Sequence, residues 1–191
     1  VEITGKYASF GEDPWADPDF SREPLTDEVD VAIVGAGFGG LLTGARLREF
    51  GVDNLRLIDK AADVGGTWYF NRYPGIACDV PSHLYSYSFE PNPEWSHQYS
   101  PGGEIQGYFE GVARKYGVEK AIVFGEEIVR CSWRNERWHL ETKSGKRDQA
   151  DVVIAATGVL HVPNYPDIAG LDSFGGACFH SARWNHSVPL D

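Results

Sequence analysis

The chain has little that would mark it for an oxidised, metal-bound or membrane setting. It contains three cysteines, Cys78, Cys131 and Cys178. Their spacing matches neither a zinc site nor a Cys-x-x-Cys redox pair. An odd, scattered set of thiols is expected of a reducing compartment, with each one a small buried or half-buried side chain. No run of apolar residues is long enough to span a bilayer. No charged start leads into a short apolar block of the secretory kind. These features point to a cytoplasmic setting. Methionine is absent and the first residue is Val1, so the start reads as trimmed or replaced. Basic residues are few, 17 against 28 acidic ones, giving a formal net charge of -11. Nucleic acid and anionic membrane are therefore poor partners, since both demand clustered Lys and Arg. Internal repeats are absent.

What remains is an ordinary globular composition, 42% hydrophobic and 24% charged over 191 residues, enough for one domain with a real core. Residues 1–27 are rich in Asp, Pro and aromatics and read as an N-terminal arm, pinned to the domain by Trp15 and Phe20. Val29 to Val34 is apolar and β-branched, the pattern of a buried strand. Phe38, Leu41, Leu42 and Ala45 recur at helical spacing, and Gly51 closes that helix. Leu55 to Ile58 is a second buried strand. The unit is βαβ, so the fold class expected is α/β with a parallel, Rossmann-like sheet.

Residues 60–102 show little regular pattern and many aromatics, and a loop of that length in a compact domain is usually functional. Ile105, Tyr108, Phe109, Val112 and Tyr116 mark a second helix, closed by Gly117. Short strands are expected at Ile122–Phe124, Ile128–Trp133, Trp138–Thr142 and Val152–Ala156, with a turn from Arg134 to Arg137. They add a small antiparallel β-meander to the parallel sheet. The domain proper covers 28–160, and 161–191 is an irregular linker segment.

Gly35-x-Gly37-x-x-Gly40 sits between a strand and a helix, the context in which this spacing binds a dinucleotide. Gly35 permits the tight turn, Gly37 lets backbone approach a pyrophosphate, and Gly40 lets helix and strand pack. Phe38 and Gly39 lie at the helix start, where free N–H groups and the positive dipole end favour phosphate. Asp59 ends the second strand, 19 residues after Gly40. A carboxylate there accepts hydrogen bonds from ribose hydroxyls and disfavours a 2′-phosphate, so FAD or NAD is expected rather than NADP.

Two longer motifs narrow the choice. Gly65-Gly66-x-Trp68-x-x-x-x-Tyr73-Pro74-Gly75-x-x-x-Asp79 resembles a fingerprint of type I Baeyer–Villiger monooxygenases. Phe174-x-Gly176-x-x-x-His180-x-x-x-Trp184 resembles a second one from the same family. Asn185 follows where the family normally continues with Pro or Asp. The resemblance covers residues 29 to 185. It implies FAD in the βαβ unit and NADPH held mainly by a second Rossmann domain absent from this chain. It implies that O2 supplies one oxygen atom, inserted into a ketone to give an ester or lactone.

Residue by residue, the resemblance implies that Lys60 and Gly66 bind the cofactor and that Thr67 and Trp68 lie along the flavin. It puts Asp79 at the ring, Val80 and Tyr85 near the ring or its ribityl chain, and Ile128 on the adenine through its backbone. Thr157 and Gly158 close the site. His180 and Trp184 belong to the segment that joins the two cofactor domains. Asp79 is the candidate catalytic residue, a carboxylate that would orient the family's active-site Arg, which no Arg of this chain supplies. The aromatic loop from Trp68 to Phe89 would shield a flavin from water. Tyr87, Phe89, Trp95 and Tyr99 are more simply loop packing. The remainder of the same enzyme is thus an expected partner, and the fragment alone would be inactive. Other readings are an N-hydroxylating or S-oxidising flavin monooxygenase, and a stand-alone FAD-binding module. A disulfide-type flavin reductase needs two close cysteines that are not present.

Overall fold

A computed structural model describes Trp15 and residues 28–160 and 162–189. Its centre is the run Glu28–Val34, strand β1, flanked by parallel neighbours on both sides. One neighbour is β2, Leu55–Ile58, with Val31 opposite Leu55 and Val34 opposite Ile58. Between them runs α1, Phe38–Glu49. Beyond β2 lies the two-residue strand β3, Ile122–Val123. The other neighbour of β1 is β6, Arg147–Ala155, reached through β4, Ile128–Arg134, and β5, Arg137–Thr142. The result is one six-stranded sheet in the order β3-β2-β1-β6-β5-β4.

The expected parallel sheet and antiparallel meander are therefore continuous through β6. Its first half pairs antiparallel with β5, and it runs parallel to β1 along most of its length. This strand begins five residues before the expected Val152. The added residues, Arg147 to Asp151, are mostly polar and give no apolar signal, yet Asp148 is buried and paired with Arg56 of β2. The hairpin joining β4 and β5 turns on Asn135 and Glu136, with φ of 52° and 60°. Two consecutive left-handed residues match the right-handed twist of the flanking strands.

The helix α3, Gly102–Lys115, and α1 cover one face of the sheet. Ile105, Phe109 and Val112 of α3 are buried with Val31, Ile33, Leu55 and Leu57 from the strands. On the opposite face Ala32 and Ile58 pack with Leu140 and Ala150 of the meander. Gly51 and Gly117 take positive φ immediately past α1 and α3, as the sequence predicts.

The buried arc of α1 differs from expectation. Leu41 and Ala45 are buried beside Gly40 and Gly44, whereas Leu42 is exposed. Leu42 lies 100° around the helix from Leu41, beyond the arc that touches the sheet. A Cβ on Gly44 would stand 2.9 Å from Cγ1 of Val118, so the helix packs there on backbone rather than on a side chain. The thiols also differ: Cys78 is buried, but Cys131 and Cys178 are exposed. Cys131 lies on β4 at the edge of the sheet, with β5 as its hydrogen-bonded neighbour among the described residues.

The long segment 60–102 contains one short helix that periodicity does not reveal, α2, Thr67–Phe70. Trp15 docks on its back, donating its indole N–H to the Phe70 carbonyl at 3.1 Å. The guanidinium of Arg72 lies 4.8 Å from the centre of the same indole ring. Trp15 itself thus packs on the domain, while Phe20 and the rest of the expected arm lie outside the described residues. Tyr87 and Trp95 are buried and Phe89 packs against them, as loop packing requires, but Tyr99 is exposed.

Candidate functional site

The carboxyl ends of β1, β2 and β6 open onto one cavity of about 330 Å³. Ligands of α/β sheets bind at this end, where the strand order reverses. Gly35, with φ of 110°, turns the chain out of β1. A Cβ there would stand 2.4 Å from the Ala156 carbonyl oxygen, so the turn hugs the end of β6. A Cβ on Gly40 would stand 1.9 Å from the Gly35 carbonyl oxygen. Gly40 thus lies behind the cavity wall and serves the close packing of α1 on its own turn.

Gly37 has a second role beyond the one its spacing suggests. Its ideal Cβ would meet the Cα of Gly66 at 3.3 Å, and that of Gly66 would meet the Cα of Gly37 at 3.0 Å. Two glycine backbones are in contact, and the Gly65 N–H donates to the Ala36 carbonyl at 3.2 Å. The two motifs, distant in sequence, form one glycine-lined floor. At its centre α1 begins with no side-chain cap and no acidic residue in its first turn. Its first N–H groups and dipole end are left for an anion.

Asp59 stands where the turn and β2 meet. Its Oδ2 accepts the Ala36 N–H at 2.6 Å and its Oδ1 the Ala61 N–H at 2.8 Å. These two bonds fix the carboxylate at the rim of the cavity. Lys60, Glu126, Glu127 and Ile128 continue the wall. Glu126 is buried, with Lys146 at 2.7 Å and the Ser144 hydroxyl at 2.9 Å. Burial pushes its pKa up, but the hydrogen bonds from Lys146, Ser144 and Thr142 prevail and hold it below the usual carboxylate range.

The other end is aromatic. Thr67, Trp68 and Phe70 of α2 line it together with Tyr85 and the Phe38 side of α1. Phe38 and Tyr85 rings lie 5.3 Å apart. The buried Tyr87 donates its hydroxyl to the Phe38 carbonyl at 2.7 Å and braces this side from behind. Desolvation raises the pKa of Tyr85; the Trp68 hydrogen bond opposes it, and the nearby Cys78 and Asp79 add to the rise. Thr157 and Gly158, past the end of β6, close the cavity.

Of the residues singled out from sequence, Gly35, Gly37, Phe38, Gly39, Asp59, Lys60, Gly66, Thr67, Trp68, Tyr85, Ile128, Thr157 and Gly158 line this one cavity. Asp79 and Val80 do not; both are exposed, with Asp79 close enough to act electrostatically on Tyr85. Glu126, Glu127 and Leu160 line it without having been expected. For Glu126 the only signal was its place directly after Gly125, whose φ is 69°. His180 and Trp184 lie off the wall. His180 accepts the Ala182 N–H at 3.0 Å, and Trp184 meets Phe179 edge-on at 5.0 Å.

The cavity fits a dinucleotide by its own geometry. Gly35, Gly37, Gly39, Gly65, Gly66 and Gly158 present bare backbone to it. At Gly158 nothing lies within 4 Å of an ideal Cβ. Among the described residues no group of His, Cys, Asp and Glu could hold a metal ion. No helix among them is long and apolar enough to cross a membrane.

Comparison with known proteins agrees. Residues 33–100 match the family of NAD(P)-binding Rossmann-like domains. A Baeyer–Villiger monooxygenase of Streptomyces coelicolor is 49% identical over 171 residues, 88% of this chain and 33% of that protein. Over that stretch the chain is similar to Baeyer–Villiger monooxygenases. Two solved structures of this kind superpose on it. A polycyclic ketone monooxygenase from Thermothelomyces thermophila gives a TM-score of 0.81 at 32% identity, over 98% of this chain and 33% of that one. An oxidised steroid monooxygenase bound to NADP gives 0.74 at 39% identity, over 84% and 32%. The chain spans about a third of the length of the relatives it matches.

Proposed function

We propose that this chain forms the FAD site of a Baeyer–Villiger monooxygenase that uses NADPH and O2 to insert one oxygen atom into a ketone, giving an ester or lactone. The observation that carries the reading is the joining of two motifs in one cavity. The Gly35–Gly40 turn supplies the phosphate floor, and the Gly65–Tyr85 stretch supplies the aromatic end. A simple NAD site would leave the second without a purpose.

In this reading the α1 N-terminus faces the pyrophosphate, worth roughly 0.3–1 kcal/mol per favourable charge from the dipole. Asp59 accepts from the adenosine ribose. The backbone at Ile128 meets the adenine. Trp68, Phe70 and Tyr85 wall the flavin ring and exclude water from it, which protects a reactive oxygenating site from wasteful side reactions. The flavin, when bound, supplies the redox chemistry by accepting hydride from NADPH and activating O2. Asp79, beside Tyr85, holds a cationic side chain toward the ring from outside these residues. NADPH binds mainly outside them as well.

The test is flavin uptake and product. The complete protein, purified and titrated with FAD, should acquire flavin absorbance. Supplied with NADPH, O2 and a panel of ketones, it should release an ester or lactone heavier than the ketone by one oxygen. A folded protein that takes up no FAD would sink the reading.

A further inference from the structure

The segment that carries Asp79 and Tyr85 is stitched to a second segment behind it. The Cys78 N–H donates to the Ser100 carbonyl at 3.0 Å, and the Ser82 N–H to the Gln98 carbonyl at 2.8 Å. Between these stitches two buried hydroxyls meet: Oγ of Ser82 and Oγ of Ser100 are 2.7 Å apart, with 2% and 1% of each residue exposed. Oγ of Ser82 also accepts the Ser100 N–H at 2.9 Å and lies 2.9 and 3.0 Å from the carbonyl oxygens of His97 and Gln98.

A hydroxyl has one proton and two lone pairs. Ser82 can accept the N–H and the O–H of Ser100 while giving its own proton to the two carbonyls. All its capacity is then spent inward and none faces the cavity. The chain leaves this fixed point in both directions. Three residues earlier stands Asp79. Three residues later stands Tyr85, carried on a turn in which the Leu84 and Tyr85 N–H groups donate to the Pro81 carbonyl at 2.8 and 3.0 Å. The Ser86 hydroxyl ties that turn to the Ser82 carbonyl at 2.8 Å.

We infer that Ser82, clasped by Ser100, is a positioning residue for the flavin end of the cavity: it sets where Tyr85 stands against Trp68 and where the Asp79 segment lies beside it. This rests on the reading of the cavity as an FAD site. The clasp touches neither the Gly35–Gly40 turn nor Asp59, so its loss should register at the ring end and spare the adenosine end. A change that merely weakened the whole domain would affect both ends alike.

The experiment compares wild type, Ser82→Ala, Ser100→Ala and the double variant in the complete protein. FAD probes the whole cavity and ADP only its adenosine and phosphate half. The expected result is FAD binding weakened roughly fivefold to tenfold in Ser100→Ala, the loss of about one buried hydrogen bond, and at least as much in Ser82→Ala, which also gives up the bonds to the Ser100 N–H and the two carbonyls. ADP affinity stays at the wild-type value, and the visible absorbance and circular dichroism of bound flavin shift. The double variant is no worse than Ser82→Ala, because the clasp is already broken there. Equal loss of FAD and ADP affinity would overturn the inference, as would unchanged FAD affinity with an unchanged flavin spectrum. If Ser82→Ala fails to fold, Ser100→Ala decides alone, since it leaves the Ser82 contacts with His97 and Gln98 in place. A wild-type protein that binds ADP but no FAD would instead refute the functional reading.

Discussion

The indole N–H of Trp68 donates to the phenol oxygen of Tyr85 at 3.0 Å, and the two rings meet edge-on with centroids 5.7 Å apart. This bond occupies an acceptor position of the phenol and leaves its own proton to be offered elsewhere. Both residues line the cavity, so the pair acts as one preset aromatic corner. Replacing Tyr85 with Phe keeps the ring and removes only the hydroxyl that accepts this bond. Net loss of such a hydrogen bond is about 1 kcal/mol, so FAD affinity should fall roughly fivefold. Flavin fluorescence titration measures it, and an unchanged dissociation constant would show that the corner is not set by this bond.

The glycines of the turn should separate by mechanism. Gly40→Ala places a methyl 1.9 Å from a backbone oxygen, which no side-chain motion can relieve. Gly39→Ala meets nothing nearer than the Ala156 Cβ at 3.9 Å. Denaturant unfolding of the ligand-free protein should therefore show Gly40→Ala destabilised by several kcal/mol, on the order of an overpacked core, and Gly39→Ala close to wild type. Gly37→Ala should fall between, because its contact with Gly66 at 3.3 Å needs only a small shift.

Glu126 gives a pH dependence of definite sign. Its folded-state pKa lies below the ordinary carboxylate value, so the unfolded chain binds the proton more readily. The stabilisation is fully present above the unfolded pKa of about 4.3 and is lost as pH falls through the folded value. Glu126→Gln should be less stable than wild type at neutral pH, and the gap should close at acid pH. Urea unfolding at a series of pH values tests this. A gap constant down to pH values well below about 4 would show that the bonds to Lys146 and Ser144 do not favour the charged form.

Asp79 is exposed and off the cavity wall, so its removal should spare binding. In the complete protein Asp79→Ala should retain FAD while ester formed per NADPH consumed falls sharply and hydrogen peroxide rises. The cause would be loss of orientation of the cationic group opposite it, whose field stabilises developing negative charge. Wild-type rate and coupling would reduce Asp79 to a turn residue.

The βαβ unit was legible because it is local. A run of β-branched residues, a helix period and glycines at fixed offsets lie within about one strand–helix–strand of each other, and each was found within a few residues of its expected bounds. The motif from Gly65 to Asp79 was also legible, but as a pattern of residue types. Its geometry was not. That Gly37 touches Gly66, that Trp68 bonds Tyr85, and that Asp79 and Val80 lie off the wall follow from how an aperiodic segment folds back on the sheet. The double pairing of β6 and the exposure of Leu42 and Cys131 are of the same kind. Periodicity reports what one element wants to bury. Which neighbour buries it, and which backbone atoms come close enough to require a bare glycine, depends on packing between residues far apart in the chain, and only the tertiary structure fixes that.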